Sequence, residues 1–183
     1  MRIEQTPLKD CFIIHEKVNG DERGYFIETF NHKDFVAATG LDIVFVQDNQ
    51  SRSSKGVLRG LHMQRGASAQ AKLVRVIEGA VLDVAVDLRK NSPSYGQHYT
   101  IELNAENHKQ FFVPAGFAHG FVVLSERATF FYKVDKFYEP GNEVGIIYND
   151  KDLNIDWKLP ESEFILSKKD MNLGSFLDYT ANF

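Results

Sequence analysis

AKLVRVIEGAVLDVAVDLRK, residues 71–90, decides the fold. Two runs of Val, Leu and Ile flank an EGA turn at 78–80. Branched apolar residues suit a pleated, buried surface, so the stretch reads as two paired strands around a glycine turn. Side chains alternate in direction along a strand. Lys72, Val74 and Val76 therefore share one face of the first strand. In the second, Asp83, Ala85 and Asp87 share one face, and Leu82, Val84, Val86 and Leu88 the other. A lysine and an aspartate facing a core are costly unless paired. The pattern leaves two readings open: a charged face in solvent, or charged groups inside, with Asp83 as a partner for the Lys72 ammonium.

The same grammar extends along the chain. Short apolar strands are predicted at 44–49, 57–64, 98–103, 110–113, 119–124 and 129–135, beside 72–78 and 81–88. Between them lie turn signals such as SSKG at 53–56, KNSPSYG at 90–96, PAG at 114–116 and EPGNE at 139–143. Many short strands at regular spacing imply a sandwich, jelly roll or barrel. One helix is predicted at 31–39, capped by Asn31, with Asp34 in its first turn and Gly40 at its end. The tail after Trp157 reads as a short helix or an ordered arm. No repeat or linker divides the chain, so one domain over 1–183 is expected.

Composition excludes several classes. A net charge of −4 gives no electrostatic footprint for a nucleic-acid polymer. A single cysteine, Cys11, excludes an internal disulfide and a cysteine-cluster metal site. No apolar run reaches the length of a membrane span, and the start lacks a signal-peptide pattern. A cytoplasmic protein is the expectation.

Four further segments could carry chemistry. In GVLRGLHMQ, 56–64, His62 is either a satisfied core histidine or a functional one. Arg59 lies three residues away, so a regular strand would put the two on opposite faces. A bulge at Gly60 would turn both into one cavity. In FFVPAGFAHGFVVL, 111–124, His119 follows a Pro114–Gly116 turn, as in the second motif of cupin barrels. In ATFFYKVDKFYEPGNE, 128–143, Tyr132 shares a face with Phe130 and Val134 and reads as a core aromatic or a proton donor. GDERGYFIETF, 20–30, reads as an exposed strand of mixed charge. A metal cupin needs two histidines one residue apart; here Met63 and Gln64 follow His62, so no metal is expected.

Together these segments closely resemble the dTDP-4-dehydrorhamnose 3,5-epimerase family. The matching stretches are GDERGYFIETF, FVQDNQSRSSKGVLRGLHMQ, QAKLVRVIEGAVLDVAVDLRKNSPSYGQ, FFVPAGFAHGFVVLSE, YNDKDLNIDW and LSKKD, in order from about residue 17 to 170. The resemblance implies an all-β, cupin-like jelly roll (a double-stranded β-helix) with few short helices. It implies a homodimer in which N-terminal strands reach the partner's site. It implies a dTDP-4-keto-6-deoxy sugar as substrate, inverted at both carbons flanking the ketone, with no nicotinamide or metal. His62 would be the base, Asp170 its orienting partner, Tyr132 the acid on the opposite face, and Lys72 the cation at the ketone. Arg59 and His119 would contact the diphosphate and sugar. Arg23, Phe26 and Glu28 would reach the nucleotide, with Gln47 and Asn49 beside them. Tyr138 would stack on the thymine, and Glu143 and Lys169 would complete the pocket.

Three other functions compete. A single-centre epimerase on the same substrate would keep the same acid and base. A silent nucleotide-sugar binder would not need both His62 and Tyr132. A metal-dependent cupin oxygenase would lose activity to a chelator.

Overall fold

The computed structural model describes residues 1–182; Phe183, the last residue of the expected domain, lies outside them. Thirteen strands and two short helices make up its regular elements besides single turns of 3₁₀ helix. The first sheet comprises β1 (Arg2–Gln5), β2 (Phe12–His15), β10 (Gln110–Val113), β7 (Lys72–Glu78), β12 (Arg127–Val134) and β5 (Gln47–Ser54), in that spatial order. The second orders β13 (Glu143–Gly145), β6 (Leu58–Gln64), β11 (Phe117–Val123), β8 (Ala80–Asp87) and β9 (His98–Asn104). A separate two-stranded ribbon pairs β3 (Val18–Asp21) with β4 (Gly24–Ile27). Helix α1 spans His32–Thr39 and α2 spans Phe176–Asn182. This is the all-β jelly roll expected, and none of its described helices is long and apolar enough to cross a membrane.

Three apolar layers hold it together. Between the sheets pack Val74, Val76, Phe111 and Phe130 from the first and Val81, Ala85, Phe117 and Phe121 from the second. On the outer face of the first sheet, Phe35 of α1 packs with Phe12, Leu73 and Phe112. The outer face of the second carries Leu58, Leu61, Leu82, Val84 and Val86, covered by Ile146, Leu153 and Trp157 from the C-terminal tail. Both faces of β8, β10 and β11 are therefore buried, which is why these strands read as almost continuous apolar runs.

α1 forms as predicted: Asn31 Oδ1 accepts from Asp34 N–H, and Gly40 closes the helix in the left-handed region at φ 73°. Two strand expectations need correction. The strand expected at 44–49 starts at Gln47 and runs on to Ser54, two residues into SSKG, and its residues Asn49 and Ser51 line a polar cavity rather than the core. β7 and β8 do not pair: β7 lies between β10 and β12, β8 between β11 and β9. The EGA turn carries the chain from one sheet to the other. Gly79 makes the crossing at φ 76°, where a Cβ would stand 2.0 Å from Arg127 O.

Candidate active site

β6 and β11 are antiparallel, with His119 opposite His62 and Phe121 opposite Arg59. Two residues on β11 thus span three on β6, an extra residue that is a β-bulge. Since His119 and Phe121 share a face, the bulge brings Arg59 onto the face of His62. Gly60 makes it, at φ 135°, and its peptide to Leu61 is cis. A Cβ on Gly60 would lie 2.6 Å from Gly120 Cα, so glycines meet at the crossing.

Arg59, His62, Lys72, His119 and Tyr132 line one cavity of about 270 Å³, with Asn49 and Ser51 on its β5 side and Phe121 and Phe130 as an apolar wall. Phe121 and Phe130 stack at 4.2 Å between centroids. A second lobe of about 100 Å³ shares His62, Lys72 and Tyr132 and adds Gln64, Tyr138 and Glu143. The two lobes form one cleft around these three side chains.

His62 Nε2 donates to Asp170 Oδ1 at 2.5 Å. Asp170 is buried, and its other oxygen accepts from Ser167 Oγ at 2.7 Å. Ser167 was not anticipated; a serine three residues before an acid is the signal that could have found it. Glu143 Oε1 stands 3.8 Å from His62 Nδ1, because Gly145 of β13 is opposite His62 and Glu143, two residues away, shares its face. Burial lowers the His62 pKa, Asp170 and Glu143 counter it, and Lys72 adds to the lowering. The Lys72 ammonium makes no hydrogen bond or ion pair among the described residues, and burial pulls it from 10.5 down to about 8 against the attraction of Asp83 and Glu143. Burial and Glu143 push the Tyr132 phenol up, with Arg59 opposing.

The pairing expected between Asp83 and Lys72 is corrected. Asp83 Oδ1 is 2.8 Å from His119 Nε2, and its ammonium neighbour is not within ion-pair distance. Of the two readings left open, the interior one holds for both residues, but they belong to opposing sheets.

The remaining residues divide. Tyr138 donates to Glu143 Oε2 at 2.5 Å, and Lys169 Nζ meets the same oxygen at 2.5 Å. Hydrogen bonds from Lys169 and Tyr138 hold the Glu143 carboxyl low although burial pushes it up. Asn49 lines the cleft, while Gln47 donates to Asn49 Oδ1 at 2.8 Å. Arg23, Phe26 and Glu28 are not brought to the cleft of their own chain. Arg23 pairs with Asp21 at the ribbon's tip, Phe26 is 68% exposed, and Glu28 accepts from Asn31 Nδ2. Sequence reading also missed Ser53, which accepts from Arg59, and Gln64, whose Oε1 accepts from Glu139 N–H within the Tyr138–Glu143 loop.

This arrangement can do definite chemistry. A histidine oriented by a carboxylate, a tyrosine and a lysine surround one small cavity, the set that proton transfer beside a carbonyl needs. Comparison with known proteins agrees with it. The family model described as dTDP-4-dehydrorhamnose 3,5-epimerase matches residues 5–178. The enzyme of that name from Shigella flexneri is 51% identical, over 97% of each chain. The crystal structure of the Elizabethkingia anophelis enzyme superposes with a TM-score of 0.94 at 60% identity, covering 97% of both chains. The Legionella pneumophila dTDP-6-deoxy-D-glucose-3,5-epimerase, solved with dTDP-4-keto-L-rhamnose, gives 0.91 at 48% identity, covering 95% of this chain and 92% of that one. Sequence motifs, jelly roll and cleft thus converge, and the chain belongs to the dTDP-4-dehydrorhamnose 3,5-epimerase family.

Proposed function

We propose that this chain is a cofactor-independent isomerase that inverts both carbons flanking the ketone of dTDP-4-dehydro-6-deoxy-D-glucose, giving dTDP-4-dehydro-L-rhamnose. A hydrogen beside a ketone is acidic because its removal gives an enolate. His62 takes that proton, and Asp170 holds the ring and stabilises the imidazolium formed. The electron pair moves onto the ketone oxygen, which Lys72 meets with positive charge. Tyr132 then protonates the carbon from the opposite face, inverting it. Both groups exchange their protons with solvent afterwards, so no net redox change occurs.

The observation that carries this reading is the 2.5 Å His62–Asp170 contact in a cleft shared with Tyr132 and Lys72. Arg59 and His119 bind the diphosphate and sugar, Arg59 with its planar fork. Tyr138 stacks on the base, with Asn49, Gln47, Glu143 and Lys169 around it. Arg23, Phe26 and Glu28 act across a homodimer, which the exposure of Tyr25 and Phe26 on a ribbon outside both large sheets supports.

Incubation with the 4-keto substrate in heavy water tests the activity. Deuterium entering both flanking carbons is expected. Deuterium at one carbon would establish a single-centre epimerase, and none would leave only a binder.

A further inference from the structure

We propose that Asp83 is a positioning residue of this cleft, holding His119 with its proton on Nε2 and standing as the buried negative charge opposite Lys72. The inference rests on the epimerase reading for its activity readout alone. Asp83 lies on the inward face of β8 with no exposure, and Ala85 fills the next position of that face with a methyl group. Packing alone therefore does not call for an acid there. A carboxylate only accepts, so the 2.8 Å contact requires His119 Nε2 to carry the hydrogen. Nδ1 is then the ring nitrogen left to meet a bound molecule. The cleft thus holds two histidine–carboxylate pairs side by side, His62–Asp170 and His119–Asp83, on strands in register.

The second oxygen of Asp83 has no hydrogen-bond partner among the described residues. Across the cleft, Lys72 also makes none. The charged and titratable groups around the pair are Arg59 and His62 from β6, His119 from β11, Tyr132 from β12, Glu143 from β13, Asp170 from the tail and the buried Cys11 thiol, which Asp83 helps keep protonated. Of these, Asp83 is the strongest influence holding Lys72 charged against its burial, ahead of Glu143. A buried carboxylate without a full set of partners thus orients the His119 ring with one oxygen and stands as a counter-charge to the Lys72 ammonium.

Asp83→Asn keeps the shape and removes the charge. The Lys72 titration, followed by NMR on protein labelled at lysine, is expected to fall by about one pH unit. The alkaline limb of substrate deuterium exchange should move with it. Long-range proton–nitrogen spectra of wild type should show neutral His119 protonated on Nε2. An unchanged Lys72 midpoint together with a superimposable exchange profile would overturn the proposal. So would a wild-type His119 protonated on Nδ1, a measurement that stands even where Asp83→Asn fails to fold. Wild type that exchanges no deuterium would sink the epimerase reading and leave both titrations to decide the role of Asp83.

Discussion

His62 is held between opposed influences, and each has a separate consequence. Burial favours its neutral form, the form that can accept a proton, while Asp170 and Glu143 favour the cation it becomes. Asp170→Asn removes one of the groups that raise the His62 pKa. Because the base works unprotonated, the acid limb of exchange should move to lower pH, and the rate should fall on the order of 100-fold or more as ring orientation is lost. A pH–rate profile in heavy water checks both; an unmoved limb would count against the pair. Lys72 carries a different cost. Its folded pKa of about 8 lies below the ordinary 10.5, so between those values the unfolded chain binds more protons and stability rises with pH. Below pH 8 the penalty is present in full, up to about 3 kcal/mol. Lys72→Met should therefore abolish exchange yet raise the melting temperature at pH 7, measurable by calorimetry.

The decisive element is the crossing of β6 and β11. A Cβ on Gly120 would lie 2.6 Å from Arg59 O, and one on Gly60 2.6 Å from Gly120 Cα at a positive φ. Gly60→Ala should cost about 2–4 kcal/mol, read as a lowered urea midpoint. Survivors should lose Arg59 from the cleft face and bind the nucleotide diphosphate more weakly. A fully stable variant with native affinity would contradict the bulge. This crossing was legible in the sequence, because Arg59 and His62 stand three apart on a strand that needs both on one side. The strands β8, β10 and β11 were legible too, since burial on two faces leaves little polar noise, and β7 and β12 were legible from their branched and aromatic residues. Parity also grouped Lys72 with Val74 and Val76, and Asp83 with Ala85 and Asp87, but left open whether those faces lay inside or in solvent. It could not name their partners, because a jelly roll pairs strands distant in sequence, and β7 and β8 lie in different sheets. β1, β3 and the second half of β5 were illegible as strands for another reason, while β4 falls inside the exposed strand read at 20–30. β1 lies at an edge, β3 in the ribbon and the second half of β5 along the cavity, where polar side chains break the apolar pattern; β2, buried between β1 and β10, was missed because only four residues of it are strand.

At the scale of the molecule, function depends on segments far from the strands that carry the base. The tail from Ile146 onward covers the second sheet with Leu153 and Trp157, and the same tail delivers Asp170 to His62. Net charge of −4 concealed how the cations are distributed. Arg59 and Lys72 line the cleft, Lys169 is spent on Glu143, and Arg23 sits on a ribbon that opens its own shallow pocket with Asn19, Tyr25 and Phe26. A ribbon with Tyr25 62% and Phe26 68% exposed presents more apolar surface than a solvated edge explains. If it completes a partner's site, each active site takes its base from one chain and its nucleotide contacts from the other. Two inactive variants then become complementary. His62→Ala has no base but an intact ribbon, and a Phe26→Ala, Arg23→Ala double variant has an intact base but no ribbon contacts. Mixed, partly unfolded and refolded together, they should form heterodimers in which one site is wholly native, and exchange activity should return. Each variant refolded alone should stay inactive. A mixture no more active than its components, with sedimentation showing that dimers had formed, would mean that the ribbon serves its own chain.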